Sequence, residues 1–528
     1  MKRLPTNMGR RLLLGLFGLL ISVGWCKQAA AGTCTQSGIQ AIAPPDATIT
    51  SATEQSSPAQ YCDVLGYVTT GNPGPNKDLF ELVLPDTLTG GFIFAGNGGF
   101  AGSLEGQIPL SLIASVGAAG AITDTGHESS APDPGLDASF ALNNPAAADD
   151  WLYRSVHVIT VTSKAIINGY YNRPLPGSLF FGCSNGGRQA MVEAEQFPTD
   201  FNAIIAISPA LGNWPAGFNW NSERVTALPD NFIPPDKIVL VDKAVLQSCD
   251  DADGVVDGLI QDPRACNFDP SSLQCKGADA PTCLTAGQIA TFKAVYRGAK
   301  KVYPGYTQSD PGSDNGWSPW VIGLAAPDAL GTAEPWTSVD NAPAQFLFQD
   351  QFFKYLVFNN PNYDSLSFNI NDANQLAQLQ AVVTRGGADG TNPDLSAFKQ
   401  NGGKLIIYQG WSDAAVTPLE TVQLYKDIAR KMGGITKAQQ FARLFMFPGM
   451  QHCGGGPGPD AWDPFGPIVN WLLNGIAPTQ ITAFHFQNDD PSTGVITRSM
   501  PVCMYPNQAQ YIGGDVNQAS SWTCPSDN

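Results

Sequence analysis

Three residue types suited to nucleophilic chemistry stand at the ends of separate β-prone runs in this chain. Ser184 lies in SLFFGCSNGGRQAMVEAEQF, where an apolar run leads into Gly182, Cys183, Ser184, Asn185 and Gly186 and then a helix-forming stretch. A G-x-S-x-G pattern between strand and helix makes a sharp turn that lifts a hydroxyl clear of the sheet, and the glycines leave room around it. Asp413 follows the predicted strand 404–409 in QGWSDAAVTP, ahead of a helix starting near Thr417-Pro418. His452 follows a predicted strand at 443–447, in PGMQHCGGG. A serine activated by a histidine that an aspartate orients is the arrangement for acyl transfer through a covalent intermediate.

Such chemistry also needs donors for a developing oxyanion. The segment GGFIFAGNGGFAGSL, residues 90–104, runs a β-like stretch into a glycine cluster whose backbone N–H groups a ligand can approach closely. Gly98 or Gly99 is one candidate donor, and the N–H of Asn185 is the other. Gly96, Gly98 and Ala101 also fit a dinucleotide fingerprint, but neither the helix nor the downstream acidic residue that such a site requires follows them. His127, beside Glu128, and His157 are read as structural. A rival assignment keeps His452 as base and makes Cys183 a thiol nucleophile.

The elements that must hold these residues form an α/β pattern. After the elbow, FNAIIAISPA, residues 201–210, reads as a buried strand, so strand, helix and strand surround Ser184 and imply a parallel sheet. Active-site residues of such sheets sit beyond the carboxyl ends of the strands. The order Ser184, Asp413, His452 is that of an α/β-hydrolase fold. Residues 32–212 and 399–528 are expected to form this domain. Between them, 213–398 loses the βα alternation and is expected to be a lid domain, with aromatic stretches WSPWVIGL, EPWTSVD and QFLFQDQFFKYLVF that suit either its own core or a pocket wall. Residues 32–86 read as loop-rich with short strands. The segment AAADDWLYRSVHVITVTSKAIINGYY places Leu152, Val156, Ile159 and Ile166 on one helical face, opened by the pair Asp149-Asp150, although its β-branched run argues against an unbroken helix.

Composition bounds the setting. Residues 1–31 carry Lys2, Arg3, Arg10 and Arg11, an apolar run and Ala29-Ala30-Ala31, the pattern of a secretory signal peptide cut before Gly32. No later stretch is long and apolar enough for a membrane anchor. The formal net charge is −17, and loss of a basic leader makes the mature chain more acidic still, which disfavours nucleic acid or anionic membrane as partner. Of 11 cysteines, one falls in the leader, and the even remainder suits a disulfide framework in an oxidising compartment. Short loops favour Cys249 with Cys266, Cys275 with Cys283 and Cys503 with Cys524; Cys34, Cys62, Cys183 and Cys453 complete the set. CDDADGVVDGLI, residues 249–260, gathers Asp250, Asp253 and Asp257 around glycines. Hard carboxylate oxygens in one turn suit Ca²⁺. The loop lacks the twelfth-position glutamate of an EF-hand, so backbone carbonyls are expected to complete it.

GCSNGG, QGWSD and QHCGGG together resemble the tannase and feruloyl esterase family, and the resemblance extends over most of residues 80–510. It implies a secreted serine carboxylic ester hydrolase acting on aromatic esters of feruloyl, galloyl or chlorogenic type, with related bacterial enzymes hydrolysing terephthalate monoesters. It also implies that Cys183 is bonded to Cys453, and that Ca²⁺ is held by Asp250, Asp253 and Asp257 with the carbonyls of Val255 and Leu259. A reading from another class is a calcium-dependent binding module with an inactive hydrolase core.

Overall fold

The computed structural model describes residues 32–299 and 301–525; the expected signal peptide lies outside them. Nine strands form one mixed sheet in the order β1-β2-β3-β5-β4-β6-β7-β8-β9. The first three, β1 (Ala47–Gln55), β2 (Tyr61–Thr70) and β3 (Asn76–Pro85), pair antiparallel. They run nine to ten residues each, which corrects the expectation of short strands among loops: polar residues alternate along them because one face is solvated. From β5 (Ala119–Thr123) the sheet turns parallel through β4 (Phe92–Ala95), β6 (Ser178–Cys183), β7 (Ala203–Ile207), β8 (Lys404–Gly410) and β9 (Ala442–Phe447).

The central strands are buried on both faces, as SLFFGC and AIIAI already show by lacking alternation. Their side chains part between two cores. Phe180, Ile204, Leu405 and Ile407 pack on one side of the sheet, and Phe181, Ile205, Ile406 and Tyr408 on the other, as period-two geometry requires.

The helix Ser155–Tyr171 covers the first of these faces with Val156, Ile159 and Ile166 buried. Helical structure runs through VHVITVT because burying Val156, Ile159, Thr160 and Thr162 outweighs the modest helix penalty of its β-branched residues, while Val161 stays exposed. The start was misplaced, however: Asn144 caps the stretch ahead of Pro145, and Asp149 and Asp150 lie inside it. Asp150 is instead buried, taking hydrogen bonds from Thr70 (2.9 Å), Asn76 (2.7 Å) and Arg154 (2.5 Å).

Residues 208–403, between β7 and β8, contribute helices but no strand to the large sheet. The helices Trp214–Thr226, Pro235–Cys249, Ala286–Arg297 and Ala344–Gln351 build a core of their own, which also takes in Phe100, Trp151 and Ala414 to Val416 from around the sheet edge. A C-terminal hairpin, Gln480–Phe486 with Ile496–Cys503, packs Met500 and Cys503 against Val255 and Leu259. Among the described residues, no helix is long and apolar enough to cross a membrane.

Candidate active site

Ser184 joins β6 to the helix Asn185–Gln196 with φ 62° and ψ −121°, a region that L-residues seldom adopt and that structures retain at functional turns. The surroundings hold it there. Its N–H donates to Ile207 O at 3.0 Å, and its carbonyl accepts from Arg188 at 3.0 Å and Ala210 at 3.1 Å. A Cβ on Gly182 would stand 2.4 Å from the backbone of Gly186, so strand and helix meet at a distance only glycine permits. Gln107 clasps the preceding residue, its amide donating to Cys183 O at 2.7 Å and accepting the Cys183 N–H at 2.6 Å.

Asp413 lies beyond the carboxyl end of β8 and is buried. Its Oδ1 accepts the N–H groups of Ala415 and Val416, both at 3.0 Å, and its Oδ2 accepts Gln409 Nε2 at 2.9 Å. His452, beyond β9, faces the same carboxylate through Nδ1, at 3.1 Å from Oδ1 and 3.0 Å from Oδ2. A carboxylate surrounded by donors can only accept, so Nδ1 carries the proton and Nε2 is the nitrogen left with a lone pair.

The elbow and the histidine loop are joined covalently. Cys183 and Cys453 form a disulfide with Cα atoms 6.2 Å apart across 270 residues of sequence, and a ring nitrogen of His452 lies within 4.8 Å of both sulfurs. That bond removes the thiol on which a Cys183 nucleophile depends. Cys249–Cys266, Cys275–Cys283 and Cys503–Cys524 are paired as loop length favours, and Cys34 pairs with Cys62.

Ser184, Asn185 and His452 line one cavity, together with Gly99, Trp214, Trp320 and Phe348. Trp320 and Phe348 come from two of the aromatic stretches noted in the sequence, and Trp320 sets its ring edge-on to His452, centroids 5.2 Å apart. Trp336, from the third, packs instead on Phe346 within the helical core. Among the described residues, the N–H groups of Asn185, Gly98 and Gly99 have no protein acceptor, and of the two glycines Gly99 borders the cavity.

The other sequence candidates lie elsewhere. His127 is buried, stacks on Phe140 with centroids 3.5 Å apart, and burial lowers its pKa to about 4. His157 pairs with Asp200 at 2.6 Å and stacks on Phe197. In the acidic loop the three carboxylates mostly serve the turn itself. Asp250 accepts the N–H groups of Asp257 (3.2 Å) and Gly258 (2.9 Å), and Asp257 accepts that of Leu259 (3.1 Å) and pairs with Arg498 (3.3 Å). Asp253 keeps Oδ2 buried without a partner, and burial, then the charges of Asp257 and Asp250, raise its pKa to about 6. The carbonyls of buried Val255 and Leu259 accept no hydrogen bond among the described residues. Asp253 Oδ2 and these two carbonyls are oxygens of the kind a hard cation takes, although Asp250, Asp253 and Asp257 are not among the groups of described residues whose ligand atoms lie within 4.8 Å of one another.

Several residues that organise the site were missed. Gln107 is remote in sequence from what it holds. Gln409 and Gln451 stand inside the motifs around Asp413 and His452, and their position there was the available signal. Gln451 is fully buried; its Oε1 accepts Ala414 N–H at 3.2 Å, while its Nε2 donates to Asp310 O at 3.0 Å and Ser313 Oγ at 2.7 Å. It thereby ties both catalytic-edge loops to the segment between β7 and β8.

The chain is similar to known proteins over nearly its whole length. An uncharacterized esterase of Xanthomonas campestris pv. campestris is 31% identical, covering 98% of this chain and 95% of the relative. A mono(2-hydroxyethyl) terephthalate hydrolase of Piscinibacter sakaiensis is also 31% identical, over 88% of this chain and 85% of its own. The crystal structure of feruloyl esterase B from Aspergillus oryzae superposes with a TM-score of 0.78 at 25% identity, covering 93% of this chain and 99% of that one. Residues 62–525 match the family described as tannase and feruloyl esterase. With that match spanning a sheet whose strand ends gather Ser184, Asp413 and His452, the chain belongs to the tannase and feruloyl esterase family and is a carboxylic ester hydrolase of α/β-hydrolase fold.

Proposed function

We propose that Ser184, His452 and Asp413 hydrolyse aromatic esters through an acyl-enzyme. The observation that carries this reading is the buried Asp413–His452 pair on the wall of the cavity that Ser184 also lines. His452 Nε2 takes the proton of Ser184 as Oγ bonds to the acyl carbon, then delivers it to the departing alcohol oxygen. Water repeats the sequence in reverse: His452 removes its proton, its oxygen displaces Oγ, and the proton returns to Ser184. Asp413 orients the ring and stabilises its charged form. The N–H of Asn185 and that of Gly99, favoured over Gly98 by its place on the cavity wall, hold the oxyanion.

Residues 213–398 act as a lid that shapes the acyl site, and the acyl groups to be weighed are feruloyl, galloyl, chlorogenic-type and terephthaloyl. When bound, Ca²⁺ is held by Asp250, Asp253 and Asp257 and the carbonyls of Val255 and Leu259, and it supplies structure rather than chemistry to a loop clamped by Cys249–Cys266. The leader and five disulfides favour an exported enzyme. Wild-type protein is expected to turn over p-nitrophenyl acetate and methyl gallate, and Ser184→Ala is not. Folded, calcium-loaded wild type without any esterase activity would instead favour a binding module with an inactive core.

A further inference from the structure

The walls of the cavity carry more information about the acyl group than the catalytic residues do. Phe100, Trp151, Trp214, Phe218, Trp320 and Phe348 line it, and among the described residues no Lys, Arg, Asp or Glu does. These rings form a connected enclosure: Phe100 lies 5.3 Å from Trp151 and 5.7 Å from Phe348, and Trp214 lies 5.1 Å from Phe218. Trp320 links Phe348, at 6.4 Å, to His452. Arg188, a cation behind this wall, is sealed off. It stacks over Trp151 at 4.6 Å and its guanidinium donates to Asn185 Oδ1 and to the carbonyls of Leu152, Trp151 and Ala388.

Apart from the reacting Ser184 and His452, the side-chain acceptor at the wall is likewise occupied, as are two of its carbonyls. Asn185 Oδ1 is held by Arg188 at 2.9 Å. The carbonyl of Gly99 takes the Trp151 indole N–H at 3.4 Å, and that of Ala415 takes Tyr306 at 2.9 Å and Gln345 at 3.1 Å. Beyond Ser184 and His452, the side-chain polar atoms left without a partner are donors: Asn185 Nδ2 is buried and unsatisfied, and the Trp214 indole N–H has no acceptor among the described residues. An acyl ring entering here loses water around each polar substituent. A carboxylate meets two neutral donors but no counter-charge, and a row of phenolic hydroxyls gains no side-chain acceptor for its protons outside the reacting pair.

We propose that this enzyme selects esters of neutral, sparsely hydroxylated aromatic acids, and discriminates against acyl rings that bear a carboxylate or several hydroxyls. The proposal rests on the ester-hydrolase reading of the same cavity. It sets this chain apart from a hydrolase of terephthalate monoesters, whose acyl ring is anionic.

The test compares kcat/KM of wild-type enzyme on dimethyl terephthalate and monomethyl terephthalate, which differ by one remote charge, and on methyl cinnamate and methyl gallate. Each rate is divided by that ester's own hydroxide-catalysed rate. Dimethyl terephthalate over its monoester, and methyl cinnamate over methyl gallate, are each expected to be preferred by about tenfold or more, since one buried group without a partner costs roughly 5- to 160-fold and each disfavoured ring carries a charge or several such groups. A monomethyl terephthalate rate within tenfold of that on dimethyl terephthalate, or a methyl gallate rate within tenfold of that on methyl cinnamate, overturns the proposal while leaving the esterase intact. No hydrolysis of any ester, p-nitrophenyl acetate included, instead brings down the hydrolase reading itself. Phe348 is half-buried at the cavity wall, so Phe348→Arg supplies the missing counter-charge. It is expected to raise the monomethyl-to-dimethyl ratio by about tenfold. The readout is a ratio within one variant, so a general loss of rate does not affect it, and an unchanged ratio in folded variant counts against this wall as the selector.

Discussion

At the scale of single residues, the site depends on which atoms Asp413 and Gln107 engage. Asp413 fixes His452 with Nδ1 protonated. Asp413→Asn, whose amide can turn an N–H toward Nδ1, favours the wrong tautomer, and kcat is expected to fall on the order of 10³- to 10⁴-fold with little change in KM. Steady-state kinetics with a melting curve checks this. A parallel drop in KM and melting temperature would point to a merely structural role. Gln107 makes two hydrogen bonds to the Cys183 backbone, and both of those groups lie next to the strained serine. Gln107→Leu leaves them unpaired, at a cost of about 1–3 kcal/mol each if buried. Lower thermal stability and lower kcat are expected together, because the same bonds hold the elbow in shape. Gln107 could not be found from sequence, since it sits 76 positions from its partner in a stretch without periodicity.

At the scale of elements, the site is an agreement between three strand ends and a crosslink. β6, β8 and β9 deliver Ser184, Asp413 and His452, and the Cys183–Cys453 bond fixes the first loop to the last. The pair Cys183→Ala, Cys453→Ala is expected to lower stability by about 2–5 kcal/mol. It should also lower kcat, since the His452 loop then loses its covalent tie to the elbow and keeps only its non-covalent contacts. Differential scanning calorimetry and turnover of p-nitrophenyl acetate measure the two effects, and an unchanged kcat would show that the crosslink serves folding only. The strands themselves were legible because parallel, doubly covered strands read as continuous apolar runs. The β1 to β3 layer was underestimated because its alternation is diluted by polar residues on the solvated face. The helix from residue 155 was clouded by β-branched residues whose burial decides the matter.

At the scale of the whole molecule, buried acids make stability depend on pH. Asp78 and Asp124 are fully buried, and each retains an Oδ2 without a partner. Burial, then the charge of Asp150, raises Asp78 to about 8, and burial, then Asp78, raises Asp124 to about 9. Arg154 offsets part of this for Asp78, and Glu128 adds to it for Asp124. A carboxyl raised in the folded state keeps a proton that the unfolded chain releases above about pH 4. The stabilisation is therefore complete below that value and is lost as pH rises toward 8. Melting temperature is expected to decline between about pH 5 and 8, and Asp78→Asn, which can still accept from Ser155 and Thr123 through Oδ1, should flatten the decline. An equal slope in both proteins would remove Asp78 from the account. The proposed Ca²⁺ would act at this scale as well, because the acidic loop packs on the C-terminal hairpin through Val255, Leu259 and Met500. Chelation is expected to lower the melting temperature and added Ca²⁺ to restore it, by about 2.7 kcal/mol at a hundredfold excess over Kd.

The sequence by itself determined the local devices. Gly182 and Gly186 around Ser184, the strand-end positions of Asp413 and His452, and three short-loop disulfides are each written within a few dozen residues, where chain geometry leaves few alternatives. Only the tertiary structure decided what those devices face. That Gln451 ties two loops to the segment between β7 and β8, that Asn144 rather than Asp149 opens a helical stretch, and that Arg188 is buried behind Trp151 instead of reaching the cavity all depend on contacts between distant segments. Such contacts follow from how separately formed elements share one limited interior, and no spacing within a single stretch encodes which polar groups that interior will leave with a partner.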